Sequence, residues 1–264
     1  MEEFLHFLQG TMVEPGLFSW FHFVMLIPTI ILALLIPLLF KDSKEKTYKI
    51  ILFIFWIILI IFEIFKQLIK SFHYGNPSYW EYSIRDFPFS ICSMVYYLTP
   101  IILFVNKKKY PRLVDAAIGY SSFISLTMGI VVCLYPKMVT SELIYINIQT
   151  FVHHGALIIM GVFIYVWNRR TINIKTLKRT LIMFPITAVI AIFINILFSP
   201  NFINMFFINP TRITNLPLGS YIQEKAGYPV YLITFLATIS LSTCLTYLVE
   251  TSIYKALNKK TKVK

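Results

Sequence analysis

TYKIILFIFWIILIIFEIFKQLIK, residues 47–70, is the segment on which the fold turns. Ile50 to Phe62 is an unbroken apolar run, and only Glu63, Lys66 and Gln67 interrupt the stretch from there to Ile69. A helix needs roughly 20 predominantly apolar residues to cross the hydrocarbon core of a bilayer. A water-facing helix of this length would carry a polar face, and this one has none over its first half. The segment reads as a membrane span.

Working outward, six more stretches have the same character. With residues 47–70, the predicted spans are 18–40, 88–105, 112–135, 142–167, 176–198 and 229–251. The 264-residue chain is 57% hydrophobic and 14% charged, with a mean hydropathy of +0.71. A soluble domain is usually about a quarter charged. Intrinsic disorder is excluded by the dominance of Phe, Ile and Leu, and a disulfide scaffold by only three Cys spread over the whole chain. The expected fold is all-α: one integral membrane domain over residues 1–264, a bundle of seven transmembrane helices. The first twenty residues hold Glu2, Glu3 and Glu14 and no Lys or Arg, so the first apolar run does not read as a cleaved signal peptide.

A net charge of +12 would point to nucleic acid in a soluble protein. Here the basic residues cluster between the apolar runs. Eighteen of the 24 Lys and Arg fall in or beside the first, third and fifth connectors and the C-terminal tail, and six lie on the other side. By the positive-inside rule the N-terminus is outside and the C-terminus cytoplasmic. The implied setting is the cell membrane, crossed several times, with membrane lipids as neighbours and no nucleic acid partner. Residues 71–87 and 199–228 form the longer outer connectors, the latter marked as loop by four Asn, three Pro and two Gly. Within it, Phe202–Ile208 has the apolarity of a turn that dips back towards the membrane. Trp80, Tyr79, Tyr82, Tyr221 and Tyr228 suit the interfacial belt.

Ionisable groups at membrane depth are costly, so each is a candidate for function. The fifth span, YINIQTFVHHGALIIMG (145–161), is the most polar. Asn147, Thr150 and His154 fall on one helical face, and Gln149 and His153 on a neighbouring stripe. Two adjacent imidazoles there either hold helices together by hydrogen bonds or do chemistry. Cys92 lies in DFPFSICSMVYY, just past Pro88, which is expected to open the third span. A thiol near a helix N-terminus is favoured as thiolate by the dipole, and with an imidazole it makes a nucleophile–base pair. A lone membrane cysteine is more often a packing residue, as expected for Cys133 and Cys244. Glu63 and Lys66 are spaced to neutralise each other, and Arg112 with Asp115 reads as an interfacial pair. Asn195, Asn201 and Asn204 form a polar outer mouth that His22 is deep enough to join. No HExxH, CxxC or carboxylate cluster indicates a metal, and no P-loop or GxGxxG indicates a nucleotide, so no cofactor is expected.

Three segments carry a family resemblance: FPFSIC (87–92), FVHHGAL (151–157) and NILFSPNFINMFFINP (195–210). Together they resemble the bacterial YwaF-type membrane proteins, related to the transmembrane protein 164 group, described as cysteine-dependent phospholipid acyltransferases. The resemblance implies that Cys92 accepts the acyl group and that His153 or His154 is the acid/base. With that chemistry, Asn195, Asn201 or backbone N–H groups near Pro88 would stabilise the oxyanion, and Asn147 and Thr150 on the polar face of the fifth span are further candidate substrate contacts. A transporter lined by the polar fifth and sixth spans is the alternative, and a non-catalytic scaffold the third reading. In a carrier, polar residues should continue to the inner side, where the sequence offers few beyond Ser121, Ser122, Thr246 and Glu250, which argues against a through-path.

Overall fold

The structure is a computed structural model that describes residues 2–199 and 203–261. A short surface helix, α1 (Glu2–Leu8), precedes the bundle. Then come α2 (Trp20–Phe40), α3 (Glu45–Ser71), α4 (Val95–Phe104, entered through a 3₁₀ turn at Cys92–Met94) and α5 (Pro111–Gly119). A π-helical stretch, Tyr120–Ser125, joins α5 to α6 (Leu126–Leu134). The rest are α7 (Ile144–Asn168), α8 (Ile174–Leu197), the short α9 (Pro217–Ala226) and α10 (Tyr228–Thr261). Among the described residues six helical segments are long and apolar enough to cross a membrane: α2, α3, α5–α6 together, α7, α8 and Tyr228–Ala256 of α10. The fold is an all-α polytopic membrane bundle.

The third expected span differs. Sequence reading opens it at Pro88 and runs it to residue 105, but the helix covers only Cys92–Phe104. That is about 20 Å at 1.5 Å per residue, well short of the ~30 Å hydrocarbon core. The N-cap position is Ile91, which offers no side-chain cap, and the nearest polar support comes from Ser90 one residue earlier. The Ser90 hydroxyl accepts the Ser93 N–H at 3.1 Å and meets the Ser93 hydroxyl at 2.9 Å, the reach of an N-cap to a first-turn amide. Residues 87–91 stay irregular.

Irregular backbone at membrane depth survives only where protein covers it. Here the cover comes from the loop after α8. Ile203, Met205, Phe206 and Ile208 are buried, and the Phe206 ring sits 5.8 Å from Phe89 and 6.4 Å from Phe184. The described part of this apolar stretch, 203–208, is thus packed against the bundle; Phe202 lies outside the described residues. Phe206 and Phe207 take positive φ, 58° and 62°, a conformation that costs an L-residue ~1–2 kcal/mol. Asn195 on α8 holds the turn, accepting the Met205 N–H at 2.7 Å and donating to the Met205 carbonyl at 2.9 Å.

α7 is the centre of the bundle. Within its apolar window 72% is buried, against 11% for α10. The most polar span is thus the one shielded from lipid, and the plainest apolar helices face it. Close approach needs small residues. A Cβ on Gly155 would stand 2.6 Å from Thr29 Oγ1 of α2, and one on Gly161 would stand 2.7 Å from Leu126 Cβ of α6. At the lysine-rich end, inner by the charge count, Arg169 pairs with Asp42 at 2.5 Å, and Tyr48 stacks on Trp167 at 4.0 Å. Asp115 pairs with Arg179 and Lys107; Arg112, the partner expected from the sequence, makes no ion pair with it among the described residues. At the outer end, two short antiparallel strands, β1 (Phe72–His73) and β2 (Tyr79–Trp80), make a small cap.

Candidate functional site

Glu63 lies two turns from the outer end of α3 and is only 6% exposed. A buried carboxylate needs several donors, and this one has four. Lys66 Nζ sits 2.7 Å and Gln67 Nε2 2.6 Å from Oε1. The Tyr96 hydroxyl donates to Oε2 at 3.0 Å, and Gln149 Nε2 reaches the same oxygen at 3.4 Å. The expected Glu63–Lys66 pair is present, but it forms one corner of a larger network.

Tyr96 connects that network to α7. Its hydroxyl oxygen is 2.8 Å from Nδ1 of His153, and both residues are buried. The His153 ring lies beside the backbone of Cys92 at the start of the half-helix. Cys92 is half-buried and free, and the irregular segment before it brings Phe87 to the surface at 37% exposure.

Lys66 and Gln67 donate to Glu63, which is the environment of a carboxylate rather than a carboxylic acid. Tyr96 has one hydroxyl proton and two acceptors within reach, Glu63 Oε2 and His153 Nδ1. Given to Oε2, it makes the Tyr96 oxygen accept from His153 Nδ1–H and leaves the lone pair on Nε2; given to Nδ1, it leaves Nε2–H as the donor. The first tautomer is the one a general base at Nε2 requires.

The neighbouring imidazole is held differently. His154 Nδ1 donates to the Thr150 carbonyl of its own helix at 2.7 Å, and its ring meets that of His153 edge-on with centroids 5.0 Å apart. His22 does not join an outer mouth with the asparagines. It accepts the Phe18 N–H on Nδ1 at 3.2 Å and reaches the Cys133 carbonyl through Nε2 at 2.7 Å, tying α2 to the end of α6.

The remaining sequence candidates are engaged with backbone. Asn147 bonds both ways to Ser141, at 2.9 and 2.8 Å. The Thr150 hydroxyl donates to the Val139 carbonyl at 3.3 Å, and the Asn195 amide is spent on the Met205 backbone. Asn201 lies outside the described residues. Sequence reading misses Tyr96 altogether and gives Glu63 only a local role. The available signals are Cys92 and Tyr96 one helical turn apart, Gln149 and His153 likewise, and a single carboxylate inside an apolar span. Among the described residues no three His, Cys, Asp or Glu converge as a metal site would require.

A family model described as the TMEM164 family matches residues 17–247, from the entry to α2 to within the last helix. No curated protein and no solved structure matches the chain.

Proposed function

Since this chain belongs to the TMEM164 family, we propose that it is an acyltransferase of the cell membrane, moving an acyl chain between phospholipids by way of Cys92. The observation that carries the reading is the His153 ring, bonded to the Tyr96 hydroxyl with Glu63 behind it and lying beside the backbone of Cys92.

The reaction runs in two balanced halves. His153 Nε2 takes the proton of the Cys92 thiol, and the sulfur attacks the ester carbonyl of a phospholipid. The carbonyl oxygen carries negative charge in the tetrahedral intermediate, next to the positive end of the half-helix that begins at Cys92. When the C–O bond breaks, the departing lysophospholipid oxygen takes the proton from the imidazolium, leaving an acyl-cysteine. In the second half, His153 takes the proton of an acceptor lysophospholipid hydroxyl, whose oxygen attacks the thioester. The C–S bond breaks, the sulfur recovers the proton, and a new phospholipid leaves. Tyr96 and Glu63 stabilise the imidazolium in both halves. Asn195 contributes by holding the loop that covers the site, its amide already committed to Met205.

The test is acyl exchange in vesicles holding the purified protein, a phospholipid with an isotopically labelled acyl chain and a lysophospholipid. Cys92→Ala should abolish exchange while unfolding at the parental temperature. His153→Gln should lower exchange far more than His154→Gln. Transfer by Cys92→Ala at the parental rate overturns the reading.

One observation favours a carrier as the second reading. The hydroxyls of Thr99, Ser121, Ser122 and Ser125 are buried without a hydrogen-bond partner among the described residues, and Thr99 lies one turn inward of Tyr96. Dye-labelled lipid crossing the vesicle bilayer at a rate cut by Ser122→Leu and untouched by Cys92→Ala would support it.

A further inference from the structure

Where α4 stops short, a cleft of about 490 Å³ opens between its last turn and the inner end of α3. Its rim is charged, with Lys46, Lys49 and Glu45 in the first two turns of α3. Its floor is apolar, with Ile50 and Phe53 from α3 and Phe104 from α4. From Lys46 to Phe53 the α3 axis advances about 10 Å, so charge sits at the membrane boundary and the apolar floor one to two turns deeper. The cleft is polarised like a phospholipid.

We propose that this cleft seats one anionic phospholipid of the inner leaflet, with its phosphate on Lys46 and Lys49 and the upper acyl chain on Phe53 and Phe104. The proposal is independent of the acyl-transfer reading. Three features of the rim favour an anion. Lys46 makes no ion pair among the described residues. The start of α3 has no side-chain cap, since Lys44 occupies the N-cap position, so the positive end of a 27-residue helix is offset only by Glu45 in its first turn. Lys107, Lys108 and Lys109 follow α4 directly and raise the local positive potential.

One group opposes it. The Glu45 carboxylate lines the same cleft and lies 2.9 Å from Lys49 Nζ. It neutralises part of the rim and keeps the net lining charge at one positive unit. A phosphate must compete with it for Lys49, and that predicts a gain of affinity when it is removed. The floor decides between a lipid and a free phosphate. The Phe104 ring stands 6.4 Å from both Phe53 and Trp56, forming an aromatic wall that a soluble anion would not use.

Native mass spectrometry of the full chain in detergent, titrated with dioleoyl phosphatidylglycerol or dioleoyl phosphatidylcholine, tests this. One tightly bound phosphatidylglycerol is expected, with phosphatidylcholine weaker. Each lysine removed should weaken the anionic lipid about fivefold, so Lys46→Ala with Lys49→Ala should bring the two lipids close together. Glu45→Gln should tighten phosphatidylglycerol several-fold, a gain that misfolding cannot imitate. Lys175→Ala with Lys178→Ala, exposed at the same end on α8, should change nothing. The proposal is overturned if the Lys46/Lys49 variant keeps its preference or if the α8 variant loses it equally. It is likewise overturned if glycerol phosphate competes as well as the lipid.

Discussion

The Tyr96 hydroxyl lies 2.8 Å from His153 Nδ1, joining a half-helix to the central span of the bundle. The same oxygen is 3.0 Å from Glu63, so one phenol couples the imidazole to a buried carboxylate. Removing it should separate the two effects. Tyr96→Phe keeps the ring and deletes the link. Acyl exchange should fall by about 10²-fold, within the range for losing an oriented acid/base, while KM changes little. The leftover buried acceptor should cost about 1–3 kcal/mol of stability. A positioning role also requires the acid limb of the pH–rate profile to move, and an unmoved profile with lower stability would leave Tyr96 purely structural.

The Glu63–Lys66 pair offers a cycle with a sign. Glu63→Ala leaves Lys66 beside a buried void with its charge uncompensated, and breaking such a pair costs up to about 3–5 kcal/mol. Lys66 is 19% exposed, so the loss should fall below that range. Adding Lys66→Met should recover part of it. Thermal unfolding in detergent reads both, and a double variant no more stable than Glu63→Ala would mean that Gln67, Tyr96 and Gln149 hold the site without the lysine.

Gly155 marks where α2 and α7 touch most closely. An alanine Cβ there would meet Thr29 Oγ1 at 2.6 Å and Cγ2 at 3.3 Å. Gly155→Ala should therefore destabilise by about 1–3 kcal/mol, the usual cost of overpacking. In a Thr29→Ala background both clashing atoms are gone, and the same substitution should be nearly neutral. Equal losses in the two backgrounds would put the cause elsewhere in the helix.

At the inner end, a hydrogen bond from Arg169, reinforced by the charges of Arg169, Arg170 and Lys41, holds the Asp42 carboxyl below its ordinary 3.8. A carboxyl lowered in the folded state stabilises fully above its ordinary value, and that stabilisation fades as pH falls through the lowered one. The difference in unfolding temperature between parent and Asp42→Asn should thus be largest near neutrality and should shrink towards zero in strong acid. A difference independent of pH would assign the effect to packing.

Much of the fold is legible in the sequence because lipid makes a simple demand, and the runs around Ile50–Phe62 or in α8 meet it by length alone. Apolarity reports depth, however, and not helicity. FPFSIC reads as the start of a span at Pro88, although the helix begins only at Cys92, with the Ser90 hydroxyl accepting the Ser93 N–H. Cys92 and His153 stand out as rare groups in an apolar sequence. Tyr96 does not, because a tyrosine in such a run resembles packing until the residues facing it from other helices are known. Asn147 and Thr150 are plainly polar at depth, but nothing local reveals that Ser141 and Val139 absorb them.

The half-helix also has a consequence for biosynthesis. Cys92–Phe104 is too short to partition into the bilayer as an independent span, and the aromatic contacts that cover its entrance come from Phe184 and Phe206. When the ribosome has made only the first three apolar segments, the Phe206 ring that packs on Phe89 does not yet exist. The cover over the entrance to this half-helix is therefore a late product of assembly, in place only after α8 has inserted and its following loop has folded back across a segment translated more than a hundred residues earlier.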